Sequence, residues 1–248
     1  MQLEEFKNKS ILITGAGKGI GNEIAKQLHE AGANLILHAF SEESIQQLKF
    51  KFGERHQYFK ADFTLPESIE QIWKEAIELK SPLTGYINCV GLRSRRPIHL
   101  LKVRHVQEIL CANLVSFLEM VRLVSQKNTF QPGLRIVNIS SIASLSGGAG
   151  VTAYAASKAG ADAAIRCLAK ELYKKEIYLN SIVCGQVKTE AYDQLMASKE
   201  DQNDKILERQ YMGLSKPYEI ASIVLFLLSE KSKYINGTAI HADGGYLH

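Results

Sequence analysis

The chain has 248 residues, 46% hydrophobic and 23% charged, the balance of a soluble globular protein able to close a large core. Thirty basic and 26 acidic residues leave a net charge of +4, spread along the chain, which argues against a nucleic-acid-binding role. The longest apolar run, Ile223–Leu228, is far short of a membrane span, and the opening MQLEEFKNKS carries no apolar signal segment, so a cytoplasmic address is expected.

In chain order, Ser10–Ile13 reads as a strand, Ile20–Ala31 as a helix, Asn34–Ala39 as a strand and Glu42–Phe52 as a helix. Gln57–Ala61 (strand), Pro66–Leu79 (helix), Gly85–Val90 (strand) and Lys102–Ser125 (one long helix) follow. Leu134–Ser140 (strand), Thr152–Lys175 (helix), Ile177–Val183 (strand), Pro217–Ser229 (helix) and Thr238–His241 (strand) complete the series. Strands alternating with helices predict an α/β protein, a seven-stranded parallel sheet with helices on both faces. No linker interrupts the alternation, so residues 1–248 form one expected domain. Thr189–Leu214, long and polar, breaks the rhythm and reads either as a lid or as a plain pair of surface helices. The four cysteines form no CxxC pair and the seven histidines no HExxH, so no metal site is expected.

After the first strand comes Thr14-Gly15-Ala16-Gly17-Lys18-Gly19-Ile20-Gly21. Glycines allow a sharp turn and a close approach by a diphosphate, and the following helix points free N–H groups at it. The spacing is TGxxxGxG, and four more motifs accompany it: Asn88-Cys89-Val90-Gly91, Asn138-Ile139-Ser140-Ser141, Tyr154-Ala155-Ala156-Ser157-Lys158 and Asp243-Gly244-Gly245. On these the whole chain resembles the short-chain dehydrogenase/reductase family, most closely its 3-oxoacyl-[acyl-carrier-protein] reductase branch.

The resemblance implies a single Rossmann-fold domain and an NAD(P)-dependent oxidoreductase with four catalytic residues, Asn113, Ser141, Tyr154 and Lys158. Ser140 competes for the serine role; the family's spacing to the tyrosine selects Ser141. Reducing a ketone needs a proton on oxygen, and the Lys158 ammonium, one helical turn from Tyr154, favours the phenolate that gives and regains it. Asn113 corresponds to a residue that helps hold a proton-relaying water. For the cofactor, the resemblance assigns the glycine turn to the diphosphate and Asp62, with Phe63 after it, to the adenine. Asn88 and Gly91 fall in the NNAG-like motif, Tyr154 and Lys158 also touch the cofactor, and Val187 and Thr189 hold the nicotinamide carboxamide. Cys184 stands where the family has proline.

At the end of the second strand, where NAD-dependent relatives carry an acid, this chain has Ala39; with Lys18 in the turn this predicts NADP(H) over NAD(H). Ser41 is a further expected contact to the 2′-phosphate, and His38 a partial charge at low pH. The expected substrate is a small carbonyl compound or alcohol. One candidate is a 3-oxoacyl thioester of acyl carrier protein or CoA; sugar, steroid or other ketones are the alternative. Loss of chemistry altogether, as in an NADP-binding sensor, is the outlying reading. An acidic carrier would be met by Arg93, Arg95, Arg96, Lys174 and Lys175. The alanine-rich Thr152–Lys175 stretch points to a homodimer or homotetramer.

Overall fold

The structure is a computed structural model and describes residues 3–197 and 204–247. Seven parallel strands form one sheet in the order β3-β2-β1-β4-β5-β6-β7. They are β1 (Ser10–Thr14), β2 (Asn34–Ala39), β3 (Gln57–Lys60), β4 (Leu83–Asn88), β5 (Phe130–Ser141), β6 (Tyr178–Cys184) and β7 (Ala239–Ala242). The helices are α1 (Gly19–Glu30), α2 (Glu42–Phe52), α3 (Ile69–Ala76), α4 (Val103–Leu110), α5 (Ser116–Val124) and α6 (Ala143–Ser146). They continue with α7 (Thr152–Leu172), α8 (Glu190–Ala197), α9 (Asp204–Arg209) and α10 (Pro217–Leu228).

Alternation along each strand divides the core in two. Ile11, Ile13, Leu35 and Leu37 face α1, α2 and α10, where Ile24, Leu28, Leu48 and Val224 meet them. Leu12, Ile36 and Tyr86 face the other way, onto Trp73 of α3, Phe117 and Met120 of α5 and Ile165 of α7. Full burial of such a side chain is worth roughly 1.5–3 kcal/mol, so strands apolar on both faces hold helices on both.

Local chemistry sets several ends. Ser41 caps α2 by accepting the Ser44 amide at 3.2 Å, and Glu42 and Glu43 follow in its first turn. Pro217 opens α10, and Glu219 accepts the Lys216 amide at 2.6 Å.

Most boundaries shift by one to three residues, and three departures are larger. The single helix expected over Lys102–Ser125 is interrupted by a π-helical turn, Cys111–Val115, between α4 and α5. β5 begins at Phe130, four residues early, because Pro132 and Gly133 lie where its register with β4 shifts, between the pairs Leu83↔Phe130 and Gly85↔Arg135. The helix expected from Pro66 to Leu79 is a 3₁₀ turn, Pro66–Ser68, and then α3, which ends at Ala76. Of the stretch 189–214, α8 and α9 are described and residues 198–203 lie outside the described residues. Among the described residues no helix is long and apolar enough to cross a membrane.

Candidate active site

β1 and β4 are neighbours, but the chain leaves them in opposite directions across the sheet. This opens a crevice at their C-terminal ends, the place where open α/β sheets bind ligands. Both glycine-bearing segments meet there. Gly15 has φ +76°, and a Cβ on it would lie 2.8 Å from the Cys89 carbonyl carbon, so only glycine fits between the turn and the end of β4.

A side chain outside the glycine motif braces the turn. His38, on β2, accepts the Gly15 amide on Nδ1 at 3.0 Å, and its Nε2 faces the Ala61 carbonyl oxygen at 3.1 Å. Its ring stacks on Phe63 with centroids 4.3 Å apart. Burial pushes the imidazole down to about 4, so it stays neutral. The partial charge expected on it is therefore absent down to about pH 4, and at neutral pH His38 is a structural partner of the turn. Phe63 likewise puts its side chain into the core beneath it.

The start of α1 shows what the turn attracts. Lys18 is its N-cap residue but makes no capping hydrogen bond. The Gly19 amide instead donates to Oε2 of Glu190, the first residue of α8, at 3.1 Å. The Thr189 methyl stands 3.2 Å from where a Gly19 Cβ would be. A carboxylate oxygen thus sits where the helix is most positive, and such an amide suits a phosphate oxygen equally well. The residues present fit a dinucleotide.

The other expected cofactor residues are placed as follows. Ser41 spends its hydroxyl on Ser44 Oγ at 3.0 Å besides accepting the Ser44 amide, so it serves first as a helix cap. Asp62 accepts from the Thr64 amide (2.9 Å) and hydroxyl (2.7 Å), organising the chain after β3. Gly17 lies inside the turn against Ser44, Ile20 packs partly buried on the core, and a Cβ on Gly21 would collide with the Gly15 carbonyl oxygen, which makes that glycine a packing requirement. Val187 pairs with Ser215 in an isolated bridge, and Thr189 Oγ1 accepts the Tyr192 amide at 3.2 Å. Gly91 lies over Lys158, whose Nζ would be 3.5 Å from its Cβ.

Tyr154 and Lys158 share a face of α7, as their spacing requires. Lys158 is buried, its Nζ donating to the Ile139 carbonyl oxygen at 2.8 Å and, more weakly, to that of Val90 at 3.4 Å. Nζ lies 6.0 Å from the centroid of the half-buried Tyr154 ring. Asn113 stands in the π-turn, fully buried. Its side-chain amide accepts from the Leu92 N–H (2.6 Å) and donates to the Leu92 carbonyl oxygen (2.9 Å), as a strand neighbour would. The same amide donates to Ser157 Oγ (2.9 Å), which donates to the Tyr154 carbonyl oxygen (2.7 Å). Asn113 thereby ties the segment after β4 to the turn of α7 that carries the tyrosine. Cys89 and Cys184 flank this region; burial pushes the Cys184 thiol up to about 12 and raises that of Cys89, so neither is a nucleophile at neutral pH.

The two candidate serines separate cleanly. Ser140 is buried, and its hydroxyl donates to Asp162 Oδ2 at 2.8 Å. Ser141, next along the strand and so on its other face, accepts among the described residues a single 3.3 Å bond, from the Ala143 amide. Ser140 in fact ends a buried polar chain that sequence reading missed. Thr14 donates to Asn88 (2.9 Å), Asn88 to Asn138 (2.9 Å), Asn138 to Ser181 (3.3 Å) and Ser181 to Asp162 Oδ1 (2.6 Å). Asn88 is thus turned into the sheet. The signal available was a row of polar residues inside otherwise apolar strands.

The basic residues do not gather. Arg93, Arg95 and Arg96 follow β4 at the crevice end, where the Arg96 amide donates to the Gly150 carbonyl oxygen at 2.7 Å. Lys174 and Lys175 lie in a 3₁₀ turn before β6, hence at the opposite end of a parallel sheet. They cannot line the same entrance.

Known proteins resemble the chain over nearly its whole length. A family model described as "Enoyl-(Acyl carrier protein) reductase" matches residues 15–247. The 3-oxoacyl-[acyl-carrier-protein] reductase FabG of Vibrio cholerae is 31% identical over 241 residues, covering 97% of this chain and 98% of its own. That of Aquifex aeolicus is 29% identical with the same coverage, and Nodulation protein G of a Rhizobium species is 27% identical. Among solved structures, a 4-hydroxyisoleucine dehydrogenase complexed with NADH superposes with a TM-score of 0.88 at 26% identity, covering 96% of this chain and 98% of that one. A protein described only as short chain dehydrogenase/reductase family shares the fold, with a TM-score of 0.85 at 23% identity, covering 98% and 100%. The chain belongs to the short-chain dehydrogenase/reductase family and is an NAD(P)-dependent oxidoreductase acting on CH–OH or C=O groups.

Proposed function

We propose that the chain is an NADPH-dependent carbonyl reductase, reversible as an alcohol dehydrogenase, with Tyr154 as proton donor. The observation that carries this reading is the buried Lys158 ammonium, fixed on the Ile139 carbonyl oxygen and 6.0 Å from the Tyr154 ring. A nicotinamide held in the crevice would supply the hydride that the substrate carbon receives. Tyr154 gives its hydroxyl proton to the substrate oxygen and regains one from solvent. The Lys158 cation beside the ring offsets the negative charge left behind. Ser141 donates to the same substrate oxygen. Asn113 keeps α7 and the Leu92 segment in register.

Gly15 to Gly21 would hold the diphosphate, Asp62 and Phe63 the adenine end, Gly91 and the chain after Asn88 the nicotinamide ribose, and Val187 and Thr189 the carboxamide. NADP(H) is favoured because Ala39 ends β2 without a carboxylate and Lys18 is exposed in the turn. With the Ser41 hydroxyl engaged in its cap, Lys18 is the main 2′-phosphate contact.

A 3-oxoacyl thioester is the preferred substrate class, supported by the relatives' names and by Arg93, Arg95 and Arg96 at the crevice end, where an acidic carrier would approach. A small hydroxy or keto compound is the second reading, favoured by the 4-hydroxyisoleucine dehydrogenase neighbour. Exposed Ile98, Val103, Val115 and Leu118 around α4 and α5 favour self-association as a dimer or tetramer. An address inside the cell belongs to the same reading and fits four free thiols.

The test is a panel of acetoacetyl thioesters, small ketones and alcohols run with NADPH and NADH. Turnover confined to the thioester with NADPH supports the first reading; turnover of small alcohols with NADH supports the second. Tight cofactor binding without turnover of any compound would make the chain a sensor and sink both.

A further inference from the structure

Two motifs lack a role in the chemistry above: the closing Asp243-Gly244-Gly245 and the Cys184-Gly185-Gln186 segment after β6. One side chain joins them. Gln210, just past α9, is 1% exposed although it is polar and lies in a connecting segment. Its Oε1 accepts the Gln186 amide at 2.8 Å, and its Nε2 donates to the carbonyl oxygens of Gln186 (3.1 Å) and Gly213 (2.6 Å). The side-chain amide therefore pairs with both main-chain polar groups of Gln186, as an adjacent strand would.

The slot that receives it is built from glycines. A Cβ on Gly185 would collide with Gln210 Oε1, and one on Gly244 would lie 2.7 Å from Gln210 Cγ. Neighbouring residues seat the same segment on the chain's closing motif. The Met212 amide donates to the Gly244 carbonyl oxygen at 3.2 Å, the Tyr211 ring packs on Gly245, and the Arg209 guanidinium lies 4.6 Å from the Tyr246 ring centroid. Ser215 adds to the grip: its amide (3.2 Å) and hydroxyl (3.1 Å) both donate to the Gln186 carbonyl oxygen, and it accepts the Lys188 amide at 2.8 Å.

We infer that Gln210 is a positioning residue for the nicotinamide end of the dinucleotide site: by clamping Gln186 it fixes the course of the chain through Val187 to Thr189. The inference rests on the proposed role of Val187 and Thr189 in holding the carboxamide. Gln210 acts through Gln186, with its side-chain bonds all spent on backbone. A buried amide whose three bonds all end on backbone is a costly group to leave unpaired, so its partners are held closely.

The experiment compares NADPH with 2′-phospho-ADP-ribose, which has the same adenosine and diphosphate but no nicotinamide. Gln210→Met keeps shape and removes all three hydrogen bonds; Ser215→Ala removes one from the same carbonyl and is the milder variant should Gln210→Met fold poorly. The expected result is about a tenfold loss of NADPH affinity in Gln210→Met, with a smaller loss in Ser215→Ala and the truncated ligand held as tightly as by the wild type. A merely structural role would weaken both ligands equally, and that outcome, or an unchanged ratio in both variants, overturns the inference. Should the wild type bind NADH and ADP-ribose instead, the same comparison applies to that pair. If it binds no dinucleotide at all, the proposed function falls first.

Discussion

The imidazole Nδ1 of His38 accepts the main-chain N–H of Gly15 at 3.0 Å, so the turn proposed to cradle a diphosphate rests on a neutral histidine. An acceptor at Nδ1 puts the proton on Nε2, which donates to Ala61. Protonating the ring would force an N–H against the Gly15 amide inside the core.

A pH dependence of stability follows. Burial lowers His38 from 6.5 to about 4, so the unfolded chain binds this proton more readily than the folded one. The contribution is fully present above pH 6.5 and is lost as pH falls toward 4; integrated, it amounts to about 3 kcal/mol. His56 is also lowered to about 4, by burial and by Arg55, and adds loss over the same window. Thermal melts from pH 7.5 to 4 should show a steep fall below pH 6.5. His38→Asn, which offers an acceptor at the Nδ1 position but does not titrate, should flatten the curve in part. An identical curve for variant and wild type would contradict the assignment.

Replacing Tyr154 by Phe should lower the turnover rate by about 10²- to 10⁴-fold while the melting temperature stays near wild type. Lys158→Met should lose both rate and stability, because the carbonyl oxygens of Ile139 and Val90 lose the cation that joins α7 to β4 and β5. Steady-state rates, cofactor titration and melting separate the two effects. Unimpaired turnover in Tyr154→Phe would end the proposed mechanism.

Much of this was legible in the chain. Runs such as Ile11–Ile13 and Leu35–Leu37 are apolar on both faces, which only a covered parallel sheet explains, and the glycine turn falls between strand and helix as required. Part of what escaped reading depends on partners distant in sequence, and part on local hydrogen bonding. His38 looks like a strand residue with a titratable ring until Gly15 and Ala61 are seen against it. Ser41 looks like a phosphate ligand, yet the Ser44 amide three residues on claims it as a cap. Lys174 and Lys175 joined the entrance only in composition; the parallel sheet puts them at its far end. The π-turn at Cys111–Val115 leaves no periodic signature because one displaced residue hardly shifts a helical pattern.

The hydrogen bonds from Thr14 to Asp162 all run one way, toward a carboxylate that takes two hydroxyls. Asp162→Ala strands the Ser140 and Ser181 donors in the interior and should cost about 2–4 kcal/mol. Chemical denaturation would read this as a lower midpoint. Adding Ser140→Ala should then cost less than in the wild type, since its partner is already gone. Full additivity would show the two residues to be independent.

Glu190 supplies the last prediction. Its carboxylate holds the Gly19 amide that a diphosphate would use, so the two negative groups compete for the start of α1. Glu190→Gln removes the charge while keeping length and shape. It should tighten NADPH by about threefold, the order expected for one charge at an exposed helix end. Screening makes the gain largest at low ionic strength and small near 1 M salt, where the Debye length is only about 3 Å. A titration of wild type and variant across salt concentrations decides the matter. Weaker binding in the variant would mean that Glu190 helps to hold the cofactor, and an equal gain at every salt concentration would mean that charge is not the cause.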